Sequence, residues 1–169
     1  MIPVSHNIYS VGYDKEQQKS YVDYENIDGI KCSVFQPNWR TLGVRPCLIY
    51  CHTHSGNRLE GLFLATYAVL KDFDLCLFDF SGCGNSSGDF VTIGLKESLE
   101  INLVIEYLKN KFGYKEFLGW GRSMGAVSWI LALDQIFNSK LQNPVYGVVL
   151  DAPFTKAKSM VNFTTFIII

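Results

Sequence analysis

The chain has 169 residues, within the range of one ordinary domain, and 48% of them are hydrophobic against 18% charged, so it can bury a core and is not disordered by composition. With 15 Lys and Arg against 16 Asp and Glu, and neither a basic stripe nor an acidic block, nucleic acid is not an expected partner. The opening Met1-Ile2-Pro3-Val4-Ser5-His6-Asn7 lacks the basic start and apolar stretch of a signal peptide, and no run approaches the roughly 20 apolar residues of a transmembrane segment; a cytoplasmic protein is expected.

Residues 20–37 alternate apolar and polar around Asp28-Gly29, which predicts an antiparallel hairpin. Residues 46–51 form a short apolar run, read as a buried strand. From Leu59 onward, Leu59, Leu62, Phe63, Thr66 and Leu70 recur at helical spacing and mark a helix face. Residues 74–80 are a second buried strand, ending in the turn-rich run 81–89. Residues 95–111 predict an amphipathic helix with Ile101, Val104, Ile105 and Leu108 on one face, and with Glu97, Glu100, Glu106 and Lys109 toward water. A short strand over 116–119 leads into the turn Trp120-Gly121-Arg122-Ser123. Residues 124–137 are apolar nearly all round and predict a buried helix, and 145–150 predict another buried strand.

This alternation predicts an α/β fold: a mostly parallel sheet flanked by helices, with right-handed crossovers and an N-terminal antiparallel hairpin, in a single domain spanning 1–169. Folds of this kind place their sites outside the carboxyl ends of the strands. The five cysteines, Cys32, Cys47, Cys51, Cys76 and Cys83, are odd in number and include no Cys-x-x-Cys pair. They read as buried thiols in a reducing compartment, with neither a disulfide framework nor a metal site expected. Residues 160–169 form an apolar tail. Its last stretch, Phe163 to Ile169, is β-prone and uncharged, an aggregation hazard when exposed, and is read as a non-native end.

Three turns carry chemistry, each at a strand end. Gly121-Arg122-Ser123-Met124-Gly125 is a G-x-S-x-G between a predicted strand and a predicted helix. Such a sharp turn raises a serine hydroxyl toward a substrate carbonyl and requires small residues two before and two after it. The helix start then offers the Met124 backbone N–H to a developing oxyanion. The second turn is His52-Thr53-His54-Ser55-Gly56-Asn57-Arg58, whose histidines read as structural loop hydrogen-bonders. The third, Asp79 to Gly88, carries three glycines and could pass for a phosphate loop. It lacks the Lys-Ser/Thr ending, and no helix starts on its glycines. Trp39, Trp120 and Trp129 read as packing residues, and Arg122 as solvated or ion-paired.

Taken together and in this order, the motifs make the chain resemble a serine hydrolase of the α/β-hydrolase fold, in the serine aminopeptidase-like and acyl-protein-thioesterase-like branch. The resemblance covers residues 20 to about 159. It matches His52 and Gly56 to a His-Gly-x-x-Gly loop, Asp79 to Gly88 to a D-x-x-G-x-G-x-S-x-G run, and Asp151-Ala152-Pro153-Phe154 to a Ser-Pro-Phe type turn. It implies Ser123 as the catalytic nucleophile. The oxyanion hole would be built by the backbone of Met124 with His54 or, failing that, Thr53, which stands where the family has Gly. Asp79 and Ser86 are read as framing, with no catalytic role.

The resemblance also exposes a gap. In this fold the triad runs Ser, acid, His, yet the three histidines, His6, His52 and His54, all precede Ser123. Asp151 could stand in as the acid but cannot supply the base. The expected function is a serine hydrolase acting on an ester, thioester or amide of a small-molecule or acylated substrate through an acyl-serine intermediate. It needs no cofactor, and lacks its acid and His within this chain, so that the chain itself hydrolyses little. The alternative is a non-catalytic binding module or pseudoenzyme on the same fold.

Overall fold

The computed structural model describes residues 22–36, 45–139, 144–155 and 166–168. The predicted hairpin is β1 (Val22–Ile27) and β2 (Ile30–Phe35), paired antiparallel from Val22↔Phe35 to Ile27↔Ile30. Asp28 and Gly29 turn it with φ of 47° and 87°, the double left-handed turn that matches strand twist. Then follow β3 (Cys47–Cys51), a 3₁₀ segment (Arg58–Leu64) running into α1 (Ala65–Leu70), β4 (Asp74–Phe78), α2 (Leu95–Phe112), β5 (Phe117–Arg122), α3 (Met124–Asn138), β6 (Val145–Asp151) and β7 (Phe166–Ile168).

All seven strands form one sheet in the order β1-β2-β4-β3-β5-β6-β7. The four inner strands β4, β3, β5 and β6 are parallel, while β1, β2 and β7 run antiparallel to their neighbours. From β3 the chain steps outward to β4, then returns past β3 to β5 and on to β6. The reversal falls between β3 and β5. Loops leaving those two strands diverge there, and this is where open α/β sheets place their crevices.

The helices cover both faces of the sheet. On one face, Ile101, Val104, Ile105 and Leu108 of α2 and Met124, Ala126, Trp129 and Ala132 of α3 pack on Ile49, Cys76, Phe78 and Phe117. On the other, Leu64, Ala65 and Ala68 pack on Tyr50, Leu75 and Leu77. All five cysteines are buried free thiols. No helix among the described residues is long and apolar enough to cross a membrane.

Two expectations are corrected. The face marked by Leu59, Phe63 and Leu70 is turned outward, at 44%, 50% and 73% exposure. A Cβ on Gly61 would lie 2.5 Å from Leu77 and 2.6 Å from Tyr50, so this segment approaches the sheet at Gly61, with Leu64 beside it in the core and Leu59 and Phe63 left outside. An apolar cavity of about 570 Å³ opens beside it, against Leu48, Leu118, Trp120 and Val149. Second, Glu97 and Glu100 are buried, at 0% and 7% exposure. Glu97 accepts the amides of Thr92 and Gly94, both at 2.7 Å, and Glu100 accepts the Ser81 amide at 3.1 Å. Carboxylates replace water for amides that the loops leave unpaired. Within the apolar tail, Phe166–Ile168 form β7 and pair with Asp151 to Val149; residues 156–165 and 169, like Trp39 and His6, lie outside the described set.

Candidate active site

Ser123 lies between the last residue of β5 and the first of α3, with φ 52° and ψ −111°. That is neither strand nor helix geometry, and it is costly for a residue bearing a Cβ. The turn is fixed on both sides. The Ser123 amide donates to the Asp151 carbonyl of β6 at 2.8 Å, and the Ser123 carbonyl accepts from Ala126 and Val127, both at 3.1 Å.

The flanking glycines are required by contact. A Cβ on Gly121 would lie 2.4 Å from the Gly125 carbonyl oxygen, and one on Gly125 would lie 2.1 Å from the Cys51 carbonyl oxygen. The start of α3 therefore rests on the carboxyl end of β3. The Met124 amide, at the first turn of the helix, forms no backbone hydrogen bond among the described residues, as expected of a helix start. It is an open donor beside the raised serine, which is itself half-buried.

The loop leaving β3 adjoins this turn because Cys51 pairs directly with Gly121. His52 is fully buried. Its Nε2 accepts the Phe80 amide at 3.0 Å, which places the ring proton on Nδ1; that N–H donates to the Thr53 carbonyl at 2.6 Å. Burial holds the ring's pKa below its ordinary 6.5, and the Thr53 contact offsets this only in part. The ring is a neutral strut, in keeping with the structural reading of the sequence.

The Thr53 carbonyl also accepts from the Gly56 amide at 3.1 Å. No peptide among the described residues is cis, so in the unit joining residues 53 and 54 the N–H points opposite to this doubly held carbonyl. That N–H belongs to His54, and it too forms no hydrogen bond among the described residues. The two candidate donors thus separate. The Thr53 amide donates to Glu60 Oε2 at 3.0 Å and is occupied, whereas the His54 amide is open.

Asp79 joins this loop to the next. It is fully buried, accepts the Arg58 amide at 2.6 Å and the Asn85 amide at 2.9 Å, and pairs with the Arg58 guanidinium. Ser86 Oγ bridges the Asp79 carbonyl at 2.6 Å and the Lys31 amide at 2.8 Å, tying in the hairpin. Asp79 and Ser86 therefore frame the site. Asp151 ends β6 with its carboxylate 3.6 Å from Arg122 Nε, so Arg122 is ion-paired rather than free. Trp129 is fully buried in the core and Trp120 packs edge-on to Phe63. Of the two histidines among the described residues, His52 is sealed in the interior and His54 is exposed. Reading the sequence missed Glu60 altogether; its position seven residues after Thr53, in an otherwise apolar stretch, is the one signal that could have drawn attention to it.

No protein-family model matches the chain. An uncharacterized protein, YqkD, of Bacillus subtilis is 31% identical over 85 residues, which is 50% of this chain and 28% of that protein. Among solved structures, an esterase from Pyrococcus furiosus aligns at TM-score 0.61 and 24% identity over 82% of this chain and 53% of its own. A putative hydrolase from Agrobacterium vitis aligns at 0.63 and 22%, over 78% and 52%. An α/β serine hydrolase without a lid from Xanthomonas campestris aligns at 0.52 and 19%, over 69% and 57%. The chain spans about half the length of these structures. The fold is the α/β-hydrolase fold.

Proposed function

We propose that this chain carries the nucleophile and the oxyanion hole of a serine hydrolase that cleaves an ester, thioester or amide. The reading rests above all on Ser123, held at φ 52° and ψ −111° where β5 passes into α3. In the reaction Ser123 Oγ attacks the substrate carbonyl, the open amides of Met124 and His54 bind the developing oxyanion, and the leaving group departs to give an acyl-serine that water then hydrolyses. The proton of Ser123 needs an acceptor that later returns it to the leaving group. Neither His52, sealed in the interior, nor His54, exposed on the loop after β3, is suited to this, so the base is a group other than these two. The esterase and hydrolases that share the fold make an acyl substrate the natural class.

On this proposal the chain alone turns over p-nitrophenyl butyrate barely above the Ser123→Ala background. Added imidazole, acting as an external base, raises hydrolysis in the wild type more than in Ser123→Ala. Robust turnover without imidazole that Ser123→Ala abolishes would overturn the missing-base part. An identical imidazole response in both proteins would overturn the nucleophile. The position of all three histidines before Ser123 favours a second reading, a non-catalytic binding module. A fluorophosphonate probe that fails to label the equivalent serine in a full-length relative would favour it.

A further inference from the structure

We propose that Glu60 is a positioning residue for the oxyanion hole, holding the His54 amide in its donating orientation; this rests on the hydrolase reading above. The carboxylate gathers three donors from two residues. Oε2 accepts the Thr53 amide at 3.0 Å and the Tyr50 hydroxyl at 3.3 Å, and Oε1 accepts the Thr53 hydroxyl at 2.7 Å. Thr53 is thereby gripped at backbone and side chain by one group, which fixes the residue whose carbonyl, held by His52 and Gly56, sets the peptide it shares with His54.

The loop is shaped around this carboxylate. A Cβ on Gly56 would lie 1.8 Å from Glu60 Oε1 and 2.9 Å from Thr53 Oγ1, so only glycine lets the chain close over it. Glu60 sits in the 3₁₀ segment whose start is capped by the Asn57 side chain, at 2.9 Å from the Leu59 amide. It therefore reaches back to Thr53 from a fixed base. This also explains how the loop functions with Thr53 where a glycine would be expected: the threonine hydroxyl is a second handle for Glu60. Binding Thr53 through a carboxylate uses up the one backbone donor that would compete with His54 for an oxyanion.

The test is a titration of the ¹⁵N-labelled chain with butyrate, an acyl product mimic, followed at the backbone amides. In the wild type the Met124 and His54 signals move along one isotherm. In Glu60→Gln the His54 response collapses while Met124 still moves, and the apparent Kd rises about tenfold, the cost of one hydrogen bond to a charged group. A merely structural role would alter both amides together. If the folded variant keeps both responses, or loses both, the positioning inference is overturned and the hydrolase reading stands. If wild-type Met124 and His54 are both silent, the oxyanion reading fails and this inference with it. Should Glu60→Gln not fold, Thr53→Val decides, because it removes only the hydroxyl handle. The expected result is a partial loss of the His54 response with about threefold weaker binding, from one neutral hydrogen bond, and an unchanged response overturns the proposal.

Discussion

Replacing Gly125 by alanine tests how α3 is seated on the end of β3. The new Cβ would lie 2.1 Å from the Cys51 carbonyl oxygen, against the 3.4 Å at which ordinary contact begins. The Cys51 end of β3 lies between β4 and β5 and cannot retreat, so α3 must rise by about 1 Å. That shift loosens Met124, Ala126, Trp129 and Ala132, all fully buried. Overpacking commonly costs about 1–3 kcal/mol, and a clash with immobile backbone belongs at or above the top of that range, so about 3–4 kcal/mol is expected. For a domain of this size that lowers Tm by about 10 °C. Gly113→Ala is the control. Gly113 has φ 73° and nothing within 4 Å of the added methyl, so only backbone strain of about 1 kcal/mol arises. Urea unfolding of both variants beside the wild type reads the difference directly. Gly125→Ala within about 1 kcal/mol of Gly113→Ala would mean that α3 does not rest on Cys51, and the geometry argued for Ser123 would go with it.

Ser123→Gly relieves the φ of 52° and is expected to stabilise the fold by about 1 kcal/mol; a thermal melt with no gain would show that the turn stores no strain. Asp79→Ala leaves the Arg58 guanidinium buried beside two unpaired amides and should cost about 3–5 kcal/mol in urea unfolding; a loss under about 1 kcal/mol contradicts the framing role. His52 has a folded pKa below its ordinary value through burial, so its contribution is fully present above about pH 6.5. Below that pH it is lost, at up to about 1.4 kcal/mol per unit until the folded pKa is reached. His52→Gln should flatten that part of a stability–pH curve, and an unchanged curve would mean that the ring is not sealed. Glu97 works lower on the scale. Burial pushes its carboxyl up, but bonds from Thr92 and Gly94 outweigh this and hold it below 4.5, so its contribution disappears only as pH falls through that lower value, a step that Glu97→Gln removes.

The sheet and its helices were legible because buried strands and helices differ in length and period. Residues 74–80 and 145–150 are too short and too continuously apolar to be helices, and both are strands. The tight turn between β5 and α3 was legible for a stronger reason, since glycines two before and two after a serine reflect contacts of 2.4 Å and 2.1 Å that any other residue would break. What escaped was decided by contacts that periodicity does not register. Glu97 and Glu100 look like solvent residues on a helical wheel, yet Glu97 folds back on the amides of Thr92 and Gly94 just before its own helix, and Glu100 takes the Ser81 amide of the loop after β4. Leu59, Phe63 and Leu70 have a helical period, but a segment that must pass close over Tyr50 and Leu77 does so at Gly61 and leaves them outside. Periodicity registers a face; it does not register how close the sheet lies. That the Thr53 amide is occupied and the His54 amide open likewise depends on a carboxylate seven residues on.

Backbone strain bears on whether the chain serves chemistry or only binding. The described residues include five with a side chain and positive φ: Asp28, Asp72, Ile93, Ser123 and Ala152. Asp28 turns a hairpin, where aspartate tolerates that region. Ser123 and Ala152 are different, because each follows the end of one of two paired strands, β5 and β6, at the rim where the site lies. Holding Ser123 there costs about 1–3 kcal/mol, and the hydrogen bonds to Asp151, Ala126 and Val127 would form as well around a glycine. A pocket that only binds gains nothing from bearing that cost at a serine. A nucleophile does, because the strained turn lifts the hydroxyl clear of the sheet while keeping the Met124 amide beside it. The outlier therefore weighs toward hydrolysis, and a Ser123→Gly variant that is more stable yet unreactive would show the two properties separating at a single residue.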